Sequence, residues 1–302
     1  MKVQSRLQPG LTSLRAMLER RLIIVSGKGG VGKSAIAVAL ALRAQRTGRR
    51  VLLSAMTDQI GAAVHLGAHR LEYQPATFHG GIEAMAIDRA EALDEYLKLQ
   101  LRIPSAAPTR ALSRAMQVLA DTAPGIREVI TMGKPIFDTW QGRHDLVIID
   151  APPIGQLMSY LRAPAVVADL VPTGAVQDQA RRMSEMLVDP DQAALVLITT
   201  PEELPALETS EALAELESEQ LVHLGAVIAN RVLPPFDVPP ERLATLPDRP
   251  ASEAAEHHVG LLNMQNAVLA PLPIDLHLPF LFGVHTPTEV SAQLADEWDN
   301  GA

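Results

Sequence analysis

The sequence predicts a doubly wound, mostly parallel α/β sheet that carries a helical inserted subdomain. Three observations point there. Leu22-Ile23-Ile24-Val25 and Leu146-Val147-Ile148-Ile149 are unbroken apolar runs, the pattern of strands buried on both faces. Such runs alternate with stretches of helical composition, as strand–helix–strand units require. The first junction is broken by four glycines between Ser26 and Gly32.

Taken in order, Leu11–Arg20 predicts a short helix with Leu11, Leu14 and Leu18 on one side, so residues 1–20 read as a helical extension. Residues 21–302 read as one sheet domain. Lys33–Arg46, rich in Ala and Leu, predicts a helix that Gly48 closes, and Val51-Leu52-Leu53 begins a second strand. Ile82–Ile87 predicts a third strand, after which Asp88 or a neighbour caps a helix running to about Leu101. From Ile103 to about Gln141 the pattern stays helical, broken at Pro104, Pro108, Pro124 and Pro135, so a helical insert spans about 88–141. Further strands are expected at His144–Asp150, Ala194–Thr199, Gly225–Ala229 and near Asp275–Phe280, with a helix at Leu207–Leu216 between two of them. Pro234–Pro250, with six prolines, predicts a surface excursion.

Composition narrows the function. The net charge is −9 and aromatic residues make up 3%, which speaks against nucleic-acid binding by counterion release or base stacking. No cysteine is present, so disulfides and thiolate metal sites are excluded. His257-His258 point apart on a helix and make a poor metal pair. No apolar run reaches the length of a membrane span, and the N-terminal stretch lacks a secretory pattern, so a cytoplasmic protein without an integral membrane segment is expected.

Gly27-Lys28-Gly29-Gly30-Val31-Gly32-Lys33-Ser34 matches the P-loop pattern at every constrained position, after a buried strand and before a helix. The glycines let successive backbone N–H groups face one phosphate, and the helix that follows, through Ala35, directs its positive end at the same anion. Lys33 reaches the β- and γ-phosphates and the Ser34 hydroxyl ligates Mg²⁺. ATP with Mg²⁺ is the expected ligand. Asp150, at the carboxyl end of a buried strand, suits the Mg²⁺ shell, held through water.

The extra lysine, Lys28, marks the deviant P-loop group. Here the sequence resembles the ATPases that drive arsenite pumps and target tail-anchored membrane proteins, with its bacterial anion-transporting branch, and, more distantly, the septum-site and chromosome-partitioning ATPases. The resemblance implies that Lys28 crosses to a partner's nucleotide, so that the active unit is a homodimer or a heterodimer with a related ATPase. Asp150-Ala151-Pro152-Pro153-Ile154-Gly155-Gln156 resembles the second switch at Asp150, Pro153 and Gly155 and departs from it at Ala151, Pro152, Ile154 and Gln156. Gly155 is implied to bring an N–H to the γ-phosphate. In the first switch, a gapless comparison puts Thr57 where the family has its water-orienting aspartate, and a one-residue slip puts Asp58 there; Asp58 is the candidate, beside the reading of a plain turn residue. Asn230 is implied to hydrogen-bond the adenine, and Pro279, within Leu278-Pro279-Phe280-Leu281, to pack on it. Thr200-Pro201-Glu202 and Glu208-Thr209 also match the family and carry no assigned chemistry.

The resemblance implies an ATP-hydrolysing dimeric switch that couples nucleotide state to a client or partner. The alternative is a weakly hydrolysing or non-hydrolysing nucleotide-binding half of a heterodimer. In the family the insert carries clients or anions. Leu112, Met116 and Leu119 share a helical face that Met132 and Phe137 extend, either as a groove for a hydrophobic client or as a stripe packed on the sheet domain. The family's arsenite-binding cysteines and cysteine zinc clamp are absent.

Overall fold

The computed structural model describes residues 16–56, 59–100, 125–171, 173–235 and 249–300. Its strands are β1 (Leu22–Gly27), β2 (Val51–Ala55), β3 (Ala76–Thr77), β4 (Glu83–Ala86), β5 (Leu146–Asp150), β6 (Ala193–Thr199), β7 (Leu224–Val232) and β8 (Leu276–Pro279). The helices are α1 (Lys33–Arg46), α2 (Gly61–His65), α3 (Arg89–Gln100), α4 (Ile126–Gln141), α5 (Ile154–Leu170), α6 (Ala175–Val188), α7 (Glu203–Glu219), α8 (Arg249–Leu269) and α9 (Pro287–Asn300). The strands lie in the order β3-β4-β2-β5-β1-β6-β7-β8. Every neighbouring pair is parallel except β3 with β4.

Period-two alternation sends neighbouring residues of each strand to opposite faces. Ile23, Val25, Leu53, Ile148, Val196 and Ile228 pack on the face covered by α1, α2 and α9. Leu22, Ile24, Leu52, Val147, Leu195 and Val227 pack on the other face, under α4 to α7. Both faces are dry, which is why the strands read as continuous apolar runs. Helix α1 is buried from Ala35 to Ala44. Its alanines let it lie close to the sheet on one side while Leu294, Ala295 and Trp298 of α9 cover the other. Met17 and Leu18, next to the N-terminal segment outside the described residues, also pack in this cluster.

Two departures from the sequence reading have physical causes. Pro135 does not interrupt α4, which runs through it. Met132 and Ile136 of that helix are fully buried against the sheet, and their burial offsets a proline's local cost of about 3 kcal/mol. The two-residue β3 has no counterpart in the sequence reading, because both its residues are exposed and show no alternation. The segment expected to form a helical insert, about 88–141, is helical at both described ends, α3 and α4; residues 101–124, including Leu112, Met116 and Leu119, lie outside the described residues. Met132 belongs to the core.

The topology places the site. From β1 the chain crosses over α1 to β2 on one side; from β5, the neighbour of β1, it crosses to β6 on the other. Adjacent strands whose connections diverge leave a crevice beyond their carboxyl ends, the usual ligand position in such sheets.

Candidate functional site

The crevice is lined by the loop between β1 and α1. Gly27 ends β1 with φ +150°, and a Cβ there would lie 2.0 Å from the Ile198 carbonyl oxygen of β6. Only glycine lets the loop leave the sheet this close to its neighbour. Gly32 has φ +95° and precedes α1, which has no side-chain cap. The first amides of a helix have no carbonyl partner within it, so those of Lys33, Ser34 and Ala35 are available to an anion. Helix α5 likewise starts uncapped, with Gly155 exposed in its first turn. Two positive helix ends therefore stand beyond adjacent strands.

Lys33 Nζ donates to the Lys28 carbonyl at 3.0 Å, which keeps the ammonium folded back over the loop. Burial lowers its pKa, and the nearby Asp150 charge opposes that shift. The Ser34 hydroxyl donates to Asp150 Oδ2 at 2.6 Å. The parallel register makes this contact: Val25 of β1 pairs with Asp150 of β5, so β5 ends beside the start of the loop. A hydroxyl and a carboxylate that meet here are the hard oxygen donors Mg²⁺ takes. The second-switch segment is anchored from β1 as well. The Ala151 N–H donates to the Val25 carbonyl at 3.0 Å, and the buried Ser26 hydroxyl donates to the Pro152 carbonyl at 2.7 Å.

Asn230, 4% exposed near the end of β7, donates from Nδ2 to the Val31 carbonyl at 2.8 Å. The strand-end amide thus lies against the phosphate loop itself. Pro279 ends β8 opposite Val232, and Phe280 beyond it stacks edge-on with Phe282, ring centroids 5.1 Å apart. Asn230 and Pro279 therefore lie at the carboxyl ends of neighbouring strands. Thr57 and Asp58 lie outside the described residues; the flanking Gln59 accepts a 2.8 Å bond from the Leu71 N–H.

Two contacts escape the sequence reading. Lys28 forms an ion pair with Glu208 of α7, 180 positions away, within one chain. No local pattern signals a pair at that separation. Ser26 carries a signal only in being a polar residue in a buried strand.

The model of the anion-transporting ATPase family matches residues 20–177 and 170–241. This chain belongs to that family. It is 34% identical over 232 residues to ATPase BagA of Mycobacterium tuberculosis, a match covering 71% of this chain and 66% of the relative. A putative arsenical pump-driving ATPase of Halobacterium salinarum is 24% identical over 233 residues, covering 72% of this chain and 36% of that protein. ATPase GET3 of Chaetomium globosum is 27% identical over 163 residues, 53% of this chain and 48% of that one. The chain thus spans a little under two thirds of the length of the first relative, and half or less of the other two. The family and these relatives are named as ATPases, and the geometry of the glycine-rich loop accords with that name. Among the described residues no helix is long and apolar enough to cross a membrane.

Proposed function

We propose that this chain binds ATP with Mg²⁺ in the β1–α1 loop and hydrolyses it as a dimer, in the cytoplasm, passing its nucleotide state to a client or partner protein. The observation that carries the reading is the 2.6 Å Ser34–Asp150 contact at the foot of a glycine cradle, with Lys33 folded over it. Gly27, Gly29, Gly30, Val31, Gly32 and Ala35 frame the phosphates with backbone amides. Lys33 stabilises negative charge on the terminal phosphates, and Ser34 and Asp150 hold the metal, Asp150 through water. When bound, Mg²⁺ neutralises charge on the β- and γ-oxygens. Gly155 offers an N–H to the γ-phosphate, Asp58 orients the attacking water, and Lys28 serves the second subunit's nucleotide. Asn230 reads the adenine with its remaining amide capacity, and Pro279 packs on the ring. The helical segment about 88–141 carries the client contact.

Steady-state ATP turnover tests the reading. Lys33→Ala is expected to lose about 10²–10³-fold in kcat, the usual effect of removing one preorganised charge stabiliser. Asp58→Asn is expected to lose at least about 10²-fold. Equal rates in wild type and both variants would refute hydrolysis at this site.

The second-switch sequence, with Ala151 and Gln156 where the family has threonine and histidine, favours a second reading: a nucleotide-binding half of a heterodimer. Tight ATP uptake without turnover, and turnover only after a related ATPase is added, is the result that selects it.

A further inference from the structure

Lys28 sits in the phosphate loop, and its ammonium is paired with Glu208 of α7. Both side chains are partly exposed, 28% for Lys28 and 41% for Glu208. Leu204, one turn before Glu208 on the same face of α7, is 64% exposed. A carboxylate beside a phosphate-binding loop is adverse to an incoming polyanion. Here its charge is offset by the Lys28 ammonium with which it pairs.

We propose that Glu208 is a latch. It holds Lys28 within its own chain, and the pair must open before Lys28 can reach the nucleotide of a second copy. The proposal rests on the dimeric ATPase reading above. One ammonium cannot satisfy both the Glu208 carboxylate and another chain's phosphates at full strength, so closure of two chains competes with two intrachain pairs. Opening leaves Glu208 on an exposed helix face where water solvates it. An exposed pair of this kind shifts an equilibrium by roughly 1.5- to 5-fold. A symmetric dimer opens two, so their effect on association is the square, about 2- to 25-fold. Glu208 therefore sets the protein concentration at which turnover begins, without touching the reacting atoms.

The test is ATP turnover as a function of protein concentration for the full chain, with ATP uptake measured calorimetrically on the same preparations. Glu208→Gln, which keeps the shape and removes the charge, is expected to lower the half-maximal protein concentration by about 2- to 25-fold. Its maximal turnover and its ATP affinity at low protein concentration stay at wild-type values. Lys28→Met is expected to lose turnover at all concentrations, and adding Glu208→Gln to it changes nothing further. Should Glu208→Gln fail to fold, Glu208→Asp, which shortens the reach to Lys28, is expected to shift the midpoint in the same direction. A midpoint that is unchanged or raised, or a loss of turnover like that of Lys28→Met, overturns the latch. Absence of ATP uptake by wild type would instead remove the nucleotide reading beneath it. Uptake with turnover independent of protein concentration would remove the dimer, and the latch with it.

Discussion

Gly27 shows how a single position decides whether the loop can exist. Its φ of +150° is a conformation that side chains rarely adopt, and its missing Cβ is what keeps the Ile198 carbonyl clear. The obstructing atom is backbone of a central strand and cannot rotate away. Gly27→Ala should therefore lose about 1–3 kcal/mol from the conformation alone, with the clash added, seen as a lower denaturant midpoint. Gly29→Ala is the contrast, because nothing lies within 4 Å of its Cβ position. That variant should unfold within about 1 kcal/mol of wild type. Equal midpoints for the two would mean that β6 can yield where it is packed here. The strand-end residues work by the same logic of place. Ser34 and Asp150 meet because β5 ends at Asp150, paired with Val25 near the end of β1, and Asn230 meets Val31 because β7 ends near the loop.

Between α3 and α4 lies a charge cluster that joins these helices to the segment between α2 and β3. Lys134 bonds Asp138 at 2.9 Å and Glu95 at 3.1 Å, and lies 5.7 Å from the centre of the Tyr73 ring. The Tyr73 hydroxyl donates to Glu95. Lys134 and Asp138 are nearly closed to solvent, with side-chain exposures of 9% and 7%. Burial raises the Asp138 pKa, while Lys134 pulls it down. Removing one partner of a buried pair leaves the other charge uncompensated, so Lys134→Met should destabilise by about 3 kcal/mol at pH 7. The sign of the pH dependence follows from the direction of the shift. An acid whose folded pKa lies above its unfolded value near 3.9 contributes stability below that value and loses it as pH rises through the folded one. Without Lys134 the Asp138 pKa rises further. The deficit of Lys134→Met should therefore shrink as pH is lowered from 7 toward 5, in urea melts run at both. A deficit that grows on acidification would show that Asp138 is already protonated, or solvated, at neutral pH.

Ligand uptake, by contrast, acts on the stability of the entire fold, because the crevice is built from β1, β5, β6 and β7 together. A ligand bound only by the folded state at about 100 times its Kd adds about 2.7 kcal/mol. For a chain of this size that raises Tm by about 4 °C. Mg²⁺ with ATP should produce that shift in wild type and a much smaller one in Lys33→Ala, measured by scanning calorimetry. No shift at any ATP concentration would place nucleotide binding elsewhere or nowhere.

The central strands and the phosphate loop are legible in the amino-acid sequence itself. Leu22–Val25 is apolar throughout because both sides of the sheet are covered, and the loop's glycines answer to backbone angles fixed within a few residues. Even Asp150 is readable, since an acidic residue directly after an apolar run marks a strand end. Less legible are the elements without periodicity: the exposed β3, and the passage of α4 through Pro135, which its burial against the sheet allows. The chain's own pattern thus determined where strands and helices form and which junction takes the glycine-rich loop, because those are local matters of angle and alternation. Strand order, the β1–β5 pairing that brings Ser34 to Asp150, and the meeting of Lys28 with Glu208 were decided by tertiary structure alone. Contacts between distant residues depend on which strands become neighbours, and that is chosen by the packing of the whole sheet between its helices.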